Sequence, residues 1–202
     1  MDLKDTYNKI AGDWSKDHEY SSWWKEIVSK LLSKLKPGAR VLDIGCGAGW
    51  KAKFISEKGF KVVGIDFSEK MIELARVNAP EAEFLVHDMS MAETLSGTFD
   101  LIFAQAVLLH VKKNKVLEVL NNWLKKLNSG GYLYIAVKEA WLNSPDEELV
   151  KENDYGYEYE RFFSYYTLDE LKKYLEHFSL KFIESAKVVR NGTTWLVIIG
   201  QK

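Results

Sequence analysis

The sequence predicts an α/β fold: a mostly parallel sheet with helices on both faces and an antiparallel hairpin at its end. Three observations predict it. Short β-type runs alternate with helical stretches from residue 40 to 137. The inner runs, Val41-Leu42 and Leu101-Ile102-Phe103, are continuously apolar, as strands covered on both faces must be. The pair Asn191-Gly192 joins two final β-runs, and that dipeptide suits the left-handed residues of a tight hairpin turn.

The elements follow in order. Apolar side chains recur at helical spacing over residues 21–35, at Trp23, Trp24, Ile27, Val28, Leu31, Leu32 and Leu35. Lys36-Pro37-Gly38 ends that helix. Arg40 to Ile44 is a first strand that stops in glycines, and a helix over about 48–58 follows, ending at Gly59. Lys61 to Ile65 is a second strand. Ser68 caps a helix to about Asn78, before Pro80. Glu83 to Val86 and Phe99 to Ala104 are the third and fourth strands. Residues 112–127 form an amphipathic helix stopped by Asn128-Ser129-Gly130-Gly131, before a fifth strand from Tyr132 to Val137. Parallel strands joined this way should have right-handed crossovers.

Residues 140–166 break the rhythm with Tyr155, Tyr157, Tyr159, Phe162, Phe163, Tyr165 and Tyr166. Ser144-Pro145-Asp146-Glu147 reads as the capping box of a short helix, and Thr167 to Glu170 as that of a helix running to about His177. The last β-runs lie near 180–190 and 193–200. The chain reads as one domain: a helical cover (1–36), a core (37–138), a lid-like insertion (139–166) and a terminal helix with hairpin (167–202).

Composition narrows the function. A length of 202 residues suits one well-buried domain. The net charge of -1, from 28 basic and 29 acidic residues, gives no excess of cations for a polyanion such as nucleic acid. One cysteine, Cys46, forbids an intramolecular disulfide and fits a reducing, cytoplasmic setting. The four histidines are scattered without metal-ligand spacing, so no metal is expected. Met1 to Asp5 has no signal-peptide core, and the longest apolar run, Leu101 to Val111, is too short to span a membrane.

The informative segment is Val41-Leu42-Asp43-Ile44-Gly45-Cys46-Gly47-Ala48-Gly49. It joins the first strand to its helix, where glycines let a ligand approach the backbone. Position 50 is Trp, not the third Gly or Ala of a dinucleotide site. Asp43, directly before the loop, repels a pyrophosphate and attracts a cationic ligand. Asp66 ends the second strand, about 20 residues past the loop, where a carboxylate can take both ribose hydroxyls. Asp88 ends the third, where it can accept from an adenine amino group while Met89 packs on the ring. Each Asp alone could be a cap; the series points to a phosphate-free, cationic nucleoside ligand.

At these residues the chain resembles the class I S-adenosylmethionine-dependent methyltransferases, most of all the small-molecule branch related to ubiquinone/menaquinone methyltransferases. Val41 to Gly49, Gly64-Ile65-Asp66-Phe67-Ser68 with Met71 and Ala75, Asp88-Met89, Phe99-Asp100-Leu101-Ile102, and Asn128 to Leu133 are similar to successive motifs of that family. The resemblance implies a Rossmann-like, doubly wound, seven-stranded sheet of order 3-2-1-4-5-7-6, with strand seven antiparallel. It implies S-adenosyl-L-methionine as cofactor and S-adenosyl-L-homocysteine as product. Gly45, Gly47 and Gly49 would contact the methionine part and ribose, with Cys46 a small residue between them. Asp66 would hold the ribose, Phe67 would border the adenine, Met71 belongs to the same motif, and Asp88 and Met89 would read the adenine. Gln105 would lie near the methionine end. Tyr7 and Trp14 belong to a segment resembling the family's N-terminal cover.

Methyl transfer is an in-line displacement that needs chiefly alignment and exclusion of water. A general base is needed only when the acceptor proton must leave early, and His110, after strand four, is the candidate. Arg161 among aromatics, Tyr165 and Glu139 are candidate contacts for a small-molecule acceptor. Three alternatives stand beside this reading: an NAD-dependent oxidoreductase, a non-catalytic cofactor-binding protein, and a nucleic-acid methyltransferase. The last lacks an Asn-Pro-Pro-Tyr-like segment after strand four, where Gln105-Ala106-Val107-Leu108 stands. Oligomeric state leaves no trace in the sequence.

Overall fold

The structure, a computed structural model, describes residues 2–202. Two helices open it, α1 (Leu3–His18) and α2 (Lys25–Leu32). Two strand–helix units follow, β1 (Arg40–Ile44) with α3 (Trp50–Glu57) and β2 (Lys61–Asp66) with α4 (Glu69–Asn78), and then the strands β3 (Glu83–Val86) and β4 (Phe99–Gln105). After β4 come α5 (Val116–Leu124), β5 (Leu127–Lys138), the pair β6 (Glu147–Glu152) and β7 (Tyr159–Ser164), α6 (Leu168–His177), β8 (Lys181–Arg190) and β9 (Thr193–Gln201).

The main sheet has seven strands in the order β3-β2-β1-β4-β5-β9-β8. This is the expected 3-2-1-4-5-7-6 order. The inner strands pair in parallel and β9 runs antiparallel to both β5 and β8. Strand order reverses at β1, which has β2 on one side and β4 on the other. Both faces are covered. Leu42, Ile44, Ile102 and Ile135 point to the side of Trp123 and α6. Val41, Phe103 and Tyr134 point to the side of Trp24, α2 and α3. The alternation along β1 and β4 therefore fills two cores at once, and the polar ends of these strands are all that reaches water.

The boundaries read from sequence hold for β1, β3, α4 and α6, and several others shift. The fourth helix is confined to Val116–Leu124, after 3-10 turns at Leu108–His110 and Lys113–Lys115. Asn128-Ser129-Gly130-Gly131 is not a loop: β5 starts at Leu127, opposite Phe99, and a register shift between Phe99 and Leu101 absorbs the glycines. The short helix expected at Ser144–Glu147 does not form. Glu147 opens β6 instead, which pairs with β7 in a separate two-stranded sheet. The Glu147 carboxylate caps the backbone N–H of Lys113, a distant partner, rather than a turn of its own.

The remaining punctuation holds. Ser68 and Thr167 each accept from a backbone N–H three residues on, as N-caps do. Asn191 and Gly192 have φ of 49° and 74°, which closes the β8–β9 hairpin. Among the described residues no helix is long and apolar enough to cross a membrane, and no group of three or more His, Cys, Asp and Glu side chains could hold a metal.

The Thr167 cap makes a prediction about α6, whose Leu171 and Leu175 are buried in the core. Thr167→Ala should lower stability in urea unfolding by about 1 kcal/mol, and Thr167→Ser should recover most of that loss.

Candidate functional site

The carboxyl ends of the parallel strands open into one cavity of about 580 Å³, within the range of small-molecule sites. The glycine loop forms one wall. Gly45 and Gly47 have φ of 64° and 54°, a region that L side chains rarely enter. Space forbids a side chain as well. A Cβ on Gly45 would lie 2.5 Å from Val107, and one on Gly47 2.9 Å from the Trp14 ring. Gly49 has a different duty: it packs against the backbone of Ala75 in α4, outside the cavity.

Asp66 holds this loop in place. Its Oδ2 accepts from the Gly47 N–H at 3.0 Å and its Oδ1 from the Ser68 N–H at 2.9 Å. One carboxylate thus ties the loop to the start of α4. Each oxygen keeps a second lone pair, and the residue lines the cavity. Burial raises its pKa to about 6 against the pull of the two N–H groups.

Asp43 lies behind the loop, 1% exposed, rather than in the cavity wall. Its Oδ2 has no hydrogen-bond partner among the described residues. Burial raises its pKa to about 7, with Lys51 acting in the opposite direction and Asp66 in the same one. Lys51, in the first turn of α3, lines the cavity with its ammonium 5.7 Å from the Trp14 ring centroid. Burial lowers its pKa, and no carboxylate pairs with it among the described residues.

The N-terminal helix closes this wall. Trp14 lies over Gly47 and stacks on His18 at 3.9 Å. Trp50 donates its indole N–H to the Ser15 carbonyl at 2.9 Å, which fastens α3 to α1. The tryptophan in place of a third loop glycine therefore anchors the cover.

The opposite wall is built from the region after β4, the end of β5 and the β6–β7 hairpin. His110 sits at its centre. Its Nδ1 faces the Phe162 carbonyl at 2.7 Å, so that nitrogen must carry the hydrogen. Its Nε2 then accepts from the Tyr7 hydroxyl, also at 2.7 Å. Arg161 reaches the Tyr7 oxygen at 3.4 Å and binds Glu152 through two nitrogens, at 2.5 and 2.6 Å. Burial first, and Arg161 and Lys138 beyond it, push His110 down to about 3. The imidazole is neutral at pH 7 with both nitrogens engaged.

Of the residues expected from sequence, Tyr7, Trp14, Gly45, Gly47, Asp66, Phe67, Met71, Asp88, Met89, Gln105, His110 and Arg161 all line the cavity. Asp88 also caps the 3-10 helix Met89–Thr94, its Oδ1 accepting from the Ser90 N–H at 2.7 Å. Cys46 is turned into the core beside Gly64 and is not a wall residue. The two other expected acceptor contacts are corrected. Glu139 turns outward to pair with Lys187. Tyr165 is buried beneath Trp141, its hydroxyl given to Glu148 at 2.5 Å. Strand parity explains the first miss: adjacent residues face opposite ways, so Lys138, not Glu139, enters the cavity. Lys51, Lys138, Tyr155, Arg190 and Trp195 also line it. For these the sequence offers only position, since hairpin tips and strand ends reach the cavity through topology.

The profile of a family described as "Methyltransferase domain" matches residues 17–185. Among curated relatives, Phosphoethanolamine N-methyltransferase 1 of Zea mays is 33% identical over 150 residues, covering 71% of this chain and 29% of the relative. Its namesake in Arabidopsis thaliana is 36% identical over 117 residues, or 55% of this chain and 23% of the relative. The chain thus spans about a quarter of the length of these relatives. Among solved structures, magnesium protoporphyrin IX methyltransferase of Synechocystis, with bound S-adenosylhomocysteine, superposes with a TM-score of 0.78 at 17% identity, covering 99% of this chain and 97% of that one. The 1,6-didemethyltoxoflavin-N1-methyltransferase of Burkholderia thailandensis gives 0.76 at 21% identity, with 99% and 87% covered. At these identities the likeness establishes a shared fold. None of these matches singles out the ubiquinone/menaquinone branch.

The hydrogen-bond pattern at His110 makes a prediction. The imidazole nitrogens should show the neutral Nδ1–H tautomer by NMR, with no titration between pH 5 and 8. A midpoint near 6.5 would refute the buried arrangement.

Proposed function

The chain belongs to the methyltransferase-domain family, and on that premise we propose that it transfers a methyl group from S-adenosyl-L-methionine to a small-molecule acceptor. The observation that carries the reading is Asp66: a carboxylate fixed on the glycine loop, with lone pairs still open to the cavity. A cofactor with a ribose suits those lone pairs, and one without phosphate suits the neighbouring Asp43 and Asp88.

The residues present fit that cofactor. Gly45 and Gly47 leave bare backbone where a Cβ would otherwise stand. The unpartnered Asp43 oxygen favours positive charge in the adjoining space, as a sulfonium and an ammonium would supply. Lys51 offers an unpaired ammonium on the same side for a carboxylate. Phe67, Met71 and Met89 supply apolar surface for a ring.

When bound, the cofactor supplies a methyl group on sulfur, and attack by the acceptor breaks the carbon–sulfur bond and leaves a neutral thioether. The protein's part is alignment and exclusion of water. Trp14 and Tyr7 in α1, with Arg161 and Phe163 in β7, enclose the site from above the strand ends. His110 is a positioning residue in this scheme rather than a base. Its lone pair is already held by Tyr7, and its low pKa makes it a weak proton acceptor. A small-molecule acceptor is favoured by the enclosed cavity and by the net charge of -1. The names of the relatives, which include phosphoethanolamine and toxoflavin methyltransferases, point the same way.

The cofactor reading is tested by ligand protection. S-adenosylhomocysteine should raise the melting temperature and NAD should not, because only a ligand of the native state stabilises it. Asp66→Ala should weaken S-adenosylhomocysteine binding in calorimetry by at least tenfold, about 1.4 kcal/mol. Near-normal affinity would remove the ribose assignment.

Asp43 gives a pH signature. Its pKa is raised to about 7 without ligand, and a cationic ligand nearby lowers it. Binding therefore releases a proton, and affinity rises as pH increases through 7. Calorimetry in two buffers of different ionisation enthalpy should show this release. Asp43→Asn should reduce it, leaving any part contributed by Asp66, whose pKa lies near 6.

A further inference from the structure

Both walls of the cavity carry charge. Asp66, Asp88 and Lys51 line the glycine-loop side, with Asp43 behind it, and Arg190 lines the cavity from the β8–β9 hairpin. The far side has two cations, Lys138 and Arg161. Arg161 is satisfied: Glu152 takes it through two nitrogens, and the guanidinium packs over Tyr159 and Phe163. Lys138 is not. Its ammonium lies 3.6 Å from the Phe163 ring centroid and forms no ion pair among the described residues.

The carboxylates around Lys138 are already engaged, and Asp154, also in the cavity wall, accepts the Tyr159 hydroxyl at 3.2 Å. Glu152 is bound to Arg161, and Glu148 accepts the Tyr165 hydroxyl. Glu139, the next residue, pairs with Lys187. His110 is neutral. Two cations thus share one carboxylate, and the aromatic face beneath Lys138 compensates little. A cation–π contact offsets only part of what removing an ammonium from water costs. Burial first, and the neighbouring Arg161 after it, lower the Lys138 pKa, with Glu152 and Glu148 acting in the opposite direction.

We infer that Lys138 is the anchor for a negatively charged group on the acceptor, a phosphate or a carboxylate, held at the end of β5 opposite the glycine loop. The inference rests on the cavity's being the methyl-transfer site proposed above, and it replaces Arg161 by Lys138 as the residue that reads the acceptor's charge. An anion there completes the ion pairing that the fold leaves open. A cationic acceptor meets two positive charges and is excluded. The reacting atom of the acceptor must then lie at the other end of the molecule, toward the cofactor.

The test uses the full chain saturated with S-adenosylhomocysteine and matched pairs of probes, phenyl phosphate against phenol and benzoate against benzamide. In titration calorimetry the anionic member of at least one pair should bind tenfold or more tightly than its neutral partner. The pair that responds separates phosphate from carboxylate. Lys138→Met should abolish that preference while S-adenosylhomocysteine affinity stays within twofold, and Lys138→Arg should restore it. The inference is overturned if neither anionic probe binds, if neutral and anionic members bind alike, or if the preference survives in Lys138→Met. Failure of S-adenosylhomocysteine to bind the unmodified chain would be seen first. It would remove the cofactor reading and this inference with it.

Discussion

The site depends on one carboxylate. Asp66 stands at the end of β2 and accepts from the backbone of the glycine loop and of the α4 N-terminus. Without it, a loop containing three glycines of positive φ would have little to choose among the conformations open to it. A buried carboxylate is costly unless it is hydrogen-bonded, and here the Gly47 N–H of the loop and the Ser68 N–H of the α4 cap offset part of that cost. The constraint is mutual. The loop satisfies the carboxylate, and the carboxylate gives the loop the shape that bares its backbone to the cavity.

The parallel sheet explains why such a site forms here. Buried on both faces, β1 and β4 have polar freedom only at their ends. The carboxyl ends of the parallel strands gather on one edge, where strand order reverses. The walls are completed by elements far away in sequence. Tyr7 comes from α1, His110 from the turn after β4, and Arg161 from β7, yet they form one chain of hydrogen bonds. The N-terminal cover and the hairpin are thereby fastened to the same imidazole. Trp50 adds a second fastening, from α3 to α1.

The cavity is electrically asymmetric as a result. Asp66 and Asp88 stand on the loop side, where Lys51 also lies, and Arg161 and Lys138 on the hairpin side, with a neutral histidine between cover and hairpin. In a partly desolvated space such charges act strongly. They sort ligands by charge before any close contact is made. The proposed pair, a cofactor bearing a sulfonium and an acceptor bearing an anion, suits this layout.

Much of this was legible in the sequence because it is local. The glycine loop, the strand-end Asp43, Asp66 and Asp88, the Ser68 and Thr167 caps and the Asn191-Gly192 turn each follow from short-range sterics or hydrogen bonding, and resemblance to the methyltransferases supplied the strand order. What the sequence misread was decided at a distance. The helix expected at Ser144–Glu147 became β6 because Glu147 finds Lys113 and its strand finds β7. The glycines at 130 and 131 entered β5 because a bulge opposite Phe99 could absorb them. Glu139 was chosen and Lys138 overlooked because composition does not show which way a strand faces at its last residue, and one step of parity reverses it. Local chemistry fixes which residues can form a loop, a cap or a turn; only the packed fold decides which charges face one another across a cavity and which of them remain unpaired.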